Sequence, residues 1–150
     1  MTITNRSAPP GPGTITLTFS ANMRFVRPVR HFISALCTLA EFTEEETDSI
    51  ALVTTEILNN SIEHGSRGPQ DEIGVTLEVT PKLFRCIVVD AGRGGDGFAR
   101  SALGRSKQMP DLEEPRGRGL FLIRTNMDEL DVTWSPESGT RILVSKQRKT

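Results

Sequence analysis

Residues 43–65 read TEEETDSIALVTTEILNNSIEHG, and the fold is built outward from this stretch. Thr43 followed by Glu46 is a capping-box pattern, acids crowd the first turn, and Gly65 is a natural stop, so the spacing predicts a helix. At about 100° per residue, Ile50, Val53 and Ile57 fall within about 60° of one another and form an apolar stripe. Measured from Glu56, Asn60 lies at roughly 40° and His64 at roughly 80°. Three polar side chains therefore run along the edge of the core stripe and into it. Such groups need partners from protein, water or a bound ligand.

Upstream, RPVRHFISALCTLAEF reads as a helix starting near Pro28, with Val29, Phe32, Ile33, Leu36 and either Leu39 or Ala40 on its apolar face. Before it, TITLTFS alternates Ile15, Leu17 and Phe19 as a half-buried strand does. Residues 1–13 are polar and rich in Pro and Gly, which reads as a disordered lead-in. Residues 14–150 are then a single domain. Downstream, EIGVTLEV alternates strictly, and LFRCIVVD follows after a turn containing Pro81, so the two read as a hairpin. The Ile87-Val88-Val89 run suggests that the second strand is central. Residues Ala91 to Arg118 form a long polar connection, a length that usually signals function. A helix over GLFLIRTNMDEL and a second hairpin from DVTWS and TRILVSK close the chain. This order predicts an α+β fold: a two-layer α/β sandwich whose mostly antiparallel mixed sheet is covered on one face by helices.

The chain has 150 residues, enough for one core. A net charge of −1 argues against bulk attraction to nucleic acid or to an anionic membrane. Cys37 and Cys86 fall in different elements without a ligand pattern and read as small buried residues. With no membrane-length apolar run and no leader-like segment, the expected location is the cytoplasm.

Three clusters could carry chemistry. The helix edge offers an acid, Glu56, and an amide oxygen, Asn60, one turn apart. Such an oxygen suits Mg²⁺, and the carboxylate could accept a proton. His64 reads either as a favourable helix C-terminal histidine or as part of the site. In VVDAGRGGDG, a buried strand ends in Asp90 and runs into Gly92 and Gly94, which suits the amine and flat face of a planar ligand. In RGRGLFLI, Gly117 and Gly119 precede a helix start and would let a phosphate approach the backbone. Taken in order, these clusters describe a nucleotide site without a Walker sequence.

Here EILNNSIEH, DAGRG and RGRGLFLI resemble the N, G1 and G2 boxes of the GHKL (Bergerat-fold) ATPases. GLFLIRTNMDEL and the upstream FVRPVRHFI narrow the likeness to the anti-sigma-factor serine/threonine protein kinases of bacteria. It covers roughly Thr14 to Lys146. The resemblance implies a histidine-kinase-like ATPase fold that uses ATP and Mg²⁺. Glu56 would be the general base and Asn60 the metal ligand. Asp90 would bind the adenine amine, with Gly92 and Gly94 shaping its pocket and Thr140 nearby. Gly117 and Gly119 would meet phosphates, and His64, Arg118 and Leu120 complete the implied nucleotide positions. The implied partners are an anti-anti-sigma factor as protein substrate and a sigma factor bound by a homodimer, with no direct nucleic acid or membrane contact. DAGRGGDGFAR carries more glycine than the family's usual pattern and an extra arginine. Arg105, Arg116 and Arg118 are equivalent candidates for neutralising γ-phosphate charge. Two further readings stand beside the kinase. One is a non-catalytic ATP-binding regulatory module that sequesters a protein partner. The other, a histidine kinase catalytic domain, is disfavoured because no dimerisation helix fits upstream of Thr14.

Overall fold

The computed structural model describes residues 2–3, 13–96, 123 and 125–148. Strands β1 (Thr2–Ile3), β2 (Thr14–Ser20), β3 (Glu72–Val79), β4 (Leu83–Asp90), β5 (Glu129–Ser135) and β6 (Gly139–Gln147) form one sheet of order β1-β2-β3-β4-β6-β5. All five pairings are antiparallel. Helices α1 (Val26–Leu39) and α2 (Glu44–Glu63) pack on each other, and α2 lies against β4. The expected two-layer α+β sandwich is present. Within the expected lead-in, Thr2 and Ile3 pair with Thr18 and Leu17.

Strand periodicity decides the inner layer. Leu17, Phe19, Ile73, Val75, Leu77, Phe84, Cys86, Val88, Val132, Ile142 and Val144 are all buried on one face. The register stacks Leu17, Val75, Val88, Ile142 and Val132 in one row across the sheet. The adjoining row ends Asp90, Thr140, Trp134. The polar row thus belongs to the core face and is reached from the helix side. Ile87 and Val89 of the central strand are only half-buried, because among the described residues α1 and α2 pack on the opposite face.

In α2, Ile50, Val53, Ile57 and Leu58 are fully buried. The capping box forms as expected: the Glu46 backbone N–H donates to Thr43 Oγ1 at 3.1 Å, and the Thr43 N–H to Glu46 Oε1 at 3.0 Å. The bond from the Thr43 backbone N–H holds the Glu46 carboxyl below its ordinary pKa. Thr43→Ala should lower stability by about 1 kcal/mol and the melting temperature by a few degrees, measured by thermal unfolding. In α1, Val29 and Ile33 are buried and Leu39 is 81% exposed, so Ala40 rather than Leu39 faces the core. Cys37 and Cys86 are buried free thiols whose pKa burial pushes up to about 12, too high for ready thiolate chemistry. Among the described residues, no helix is long and apolar enough to cross a membrane.

Candidate functional site

The last turn of α2 meets the end of β4. Asp90, the final residue of β4, is 3% exposed. Its Oδ1 accepts the Gly92 backbone N–H at 2.7 Å, closing a tight turn. Burial raises its pKa, and that bond together with the nearby Thr140 and Ser61 hydroxyls offsets part of the rise. Neither hydroxyl completes a hydrogen bond of ordinary geometry, although Ser61 and Thr140 are each 1% exposed. A buried carboxylate flanked by two unpartnered buried hydroxyls is costly unless something else completes its bonding.

Close backbone approach makes this corner possible. A Cβ on Gly65 would stand 2.0 Å from Asp90 Oδ2. Gly65 was expected as a helix stop, and α2 does end there, but it has no positive φ. The need for glycine at 65 comes from contact with Asp90. Gly92 (φ +71°) and Gly139 (φ +80°) face each other across the end of the sheet. A Cβ on Gly92 would meet Gly139 Cα at 2.7 Å, and one on Gly139 would meet the Asp90 carbonyl oxygen at 2.0 Å. Trp134 Nε1 donates to the Gly92 carbonyl at 3.0 Å.

Glu56 and Asn60 are half-buried on α2, and Asn60 directly precedes Ser61. Burial, and secondarily the charge of Glu63, raise the Glu56 pKa. His64 is the C-cap residue of α2 and is exposed, with Nε2 3.9 Å from Glu63 Oε2. Asn59 reads from its position as a solvated surface amide, but its Oδ1 is buried and lacks a hydrogen-bond partner. Gly94 is exposed. Gly117, Arg118, Gly119 and Leu120, with Arg105, Arg116 and the rest of the long polar connection beyond residue 96, lie outside the described residues.

The structure thus brings Asp90, Gly92 and Thr140 together and sets them beside the α2 turn that carries Asn60. Sequence reasoning missed Ser61, Gly139 and Trp134. Ser61 had a signal: it lies at roughly 40° from Ile57 on the apolar stripe, where a hydroxyl is out of place. The donor set fits an adenine ring, since Asp90 can accept from an exocyclic amine and the hydroxyls can bond a water or a ring nitrogen. Among the described residues, no group of three or more His, Cys, Asp or Glu side chains could hold a metal. A single hard oxygen from Asn60 still fits Mg²⁺, which keeps waters and takes most other ligands from phosphates.

The sequence profile of the histidine kinase-like ATPase domain matches residues 19–146, and the chain belongs to that family. The chain is 34% identical over 136 residues to the anti-sigma F factor of Clostridium novyi, covering 89% of this chain and 92% of that protein. It is 31% identical over 142 residues to the serine-protein kinase RsbW of Halalkalibacterium halodurans, covering 90% of this chain and 83% of that one. Two solved structures share the fold. One contains the RsbU and RsbW domains of a Mycobacterium tuberculosis protein, with a TM-score of 0.62 at 17% identity. That match covers 95% of this chain and 34% of the other, so this chain spans about a third of its length. The other is the SiaB–SiaC complex from Pseudomonas aeruginosa, with a TM-score of 0.63 at 12% identity and 89% coverage of each chain.

Proposed function

We propose that this chain is a Mg·ATP-dependent serine/threonine protein kinase acting as an anti-sigma switch. It phosphorylates an anti-anti-sigma partner and binds a sigma factor, as a homodimer, through one domain spanning residues 14–150. The observation that carries the reading is the buried Asp90 carboxylate with its two unpartnered hydroxyls, set against the helix that bears Glu56 and Asn60. The relatives' names, an anti-sigma F factor and a serine-protein kinase, support a sigma factor as a partner and a serine as the acceptor.

In this reading Asp90 receives the adenine amine and Thr140 and Ser61 order the adjoining water. Gly92 shapes the pocket by letting the turn pack against Gly139 and Trp134, and Gly94 lies beyond it. Asn60 would hold magnesium, which supplies charge neutralisation at the phosphates when bound. Glu56 faces the hydroxyl of the protein substrate and accepts its proton. A raised pKa suits that task, because a stronger base pulls harder on the proton. Gly117, Arg118, Gly119 and Leu120 belong to the phosphate side, and His64 to the mouth of the site.

The test has two stages. Calorimetry should register heat on adding Mg·ATP to the folded protein, and no heat at saturating nucleotide would sink the proposal. Proteins captured from the native host by the tagged chain should then become labelled on serine or threonine by radioactive ATP. A captured set that stays unlabelled instead supports a regulator that sequesters its partner without phosphorylating it. Label on histidine would point to a histidine kinase.

A further inference from the structure

The arginine that interrupts the glycines of DAGRGGDG has a defined place. Arg93 Nη2 donates to Asp71 Oδ1 at 3.0 Å and Arg93 Nε to Asp71 Oδ2 at 3.2 Å, a two-pronged ion pair. The Arg93 backbone N–H also donates to the Gly65 carbonyl at 3.1 Å. Asp71 is 8% exposed and is itself tied down on every side. Its Oδ2 accepts the Arg67 N–H at 2.9 Å, its N–H donates to the Gly68 carbonyl at 3.0 Å, and its carbonyl accepts the Ala21 N–H at 2.8 Å. One aspartate therefore joins the exit of β2, the connection between α2 and β3, and the glycine turn after β4.

The position of this pair gives it a task. Gly92, Gly94 and Gly95 flank Arg93, so the backbone there has more freedom to lose than any other sequence would give it. Trp134 holds the turn from the β5 side through the Gly92 carbonyl. On the α2 side, the tethers across to residues 65–71 come from Arg93: its backbone bond to Gly65 and its fork onto Asp71. Gly65 is the residue pressed against the Asp90 carboxylate. Arg93 thus ties the end of α2 to the turn that follows β4. A planar guanidinium fork fixes both distance and orientation, which a lysine ammonium does not.

We infer that Arg93 and Asp71 are a positioning pair that holds the glycine turn and the end of α2 at the spacing at which Asp90, Ser61 and Asn60 can meet one nucleotide. This rests on the nucleotide reading above. The pair acts at the adenine end, so its loss weakens ATP, ADP and adenosine by the same factor. Loss of the Asn60 amide instead weakens only the magnesium-dependent, phosphate-bearing ligands.

The experiment is calorimetric titration of the full chain with Mg·ATP, Mg·ADP and adenosine. Arg93→Ala should weaken all three by about tenfold, and Arg93→Lys by less, because only the fork is lost. Asp71→Asn keeps an oxygen for the Arg67 N–H but loses the charge facing Arg93, and should weaken all three ligands by less than Arg93→Ala does. In the transfer assay KM for ATP should rise while kcat changes little. If Arg93→Ala does not fold, Arg93→Lys and Asp71→Asn decide the matter. Unchanged affinity in a folded Arg93 variant overturns the inference while leaving the nucleotide site standing. A loss confined to the phosphate-bearing ligands also overturns it. Absence of binding by the wild-type chain overturns the nucleotide reading itself, and this pair's role with it.

Discussion

Glu56→Gln should leave Mg·ATP binding within about twofold of wild type and lower phosphoryl transfer to the captured partner by about 10²–10⁴. The side chain keeps its size and half-buried place on α2 but can no longer accept a proton. Binding survives because Asp90 and Asn60 are untouched. The pH profile gives a second check. Burial and Glu63 raise the Glu56 pKa above the ordinary 4.5, and a base works only when ionised. Transfer by the wild type should therefore be lost on acidification at a higher pH than an exposed glutamate would dictate. Stopped-time assays with radioactive ATP across pH 4–8 would show this. Equal rates for wild type and Glu56→Gln would remove Glu56 from the chemistry.

Asp90→Asn should cost nucleotide affinity while sparing the fold. The remaining amide oxygen can still accept the Gly92 N–H, so the turn persists. The amide nitrogen then takes the place of Oδ2 and presents a donor to the donor amine of adenine. Losing a charged acceptor and opposing two donors costs about 2–3 kcal/mol, roughly 30–150-fold in Kd. Stability should move the other way. The Asp90 pKa is raised above the ordinary 3.8 by burial, so the folded state binds its proton more tightly than the unfolded chain. In the wild type, stability therefore falls as pH rises from 3.8 to the raised value and stays lowered above it. Asn carries no such penalty. At pH 7 the variant should melt no lower than wild type while failing to take up ATP, as calorimetry and thermal melts on one sample would report. An Asp90→Asn protein that binds ATP normally would remove Asp90 from the adenine site.

The Arg93–Asp71 pair offers a contrast in acid. Its hydrogen bonds from Arg93 and Arg67 lower the Asp71 pKa from 3.8 to about 2. Its contribution is present above pH 3.8 and disappears only as pH falls through about 2. The clamp therefore stays charged across the range in which Glu56 titrates, and the acid loss of transfer can be assigned to the base.

Local rules made much of the architecture readable. The capping box of Thr43 and Glu46 marks the start of α2 because its two bonds join residues only three apart. Strict alternation in β3 marks its buried face because side chains on a strand alternate by geometry alone. The alternative of Leu39 or Ala40 could not be resolved from periodicity, since both sit near the edge of the stripe; packing against the core chose Ala40. The Ile87-Val88-Val89 run correctly marks a central strand, but covering of both its faces does not follow, because among the described residues the helices lie on one face alone.

The amino-acid order alone determined the helix and strand periods, the hairpins, and the placing of Glu56, Asn60 and Asp90 at helix edge and strand end. Each of these depends on neighbours within a few residues. Only the tertiary structure decided that Ser61 and Thr140 flank Asp90, that Gly65 is glycine because a carboxylate lies against it, and that Arg93 reaches Asp71. Those relations join residues tens of positions apart, and they arise when the end of α2 packs onto the end of β4, a contact set by the register of the whole sheet.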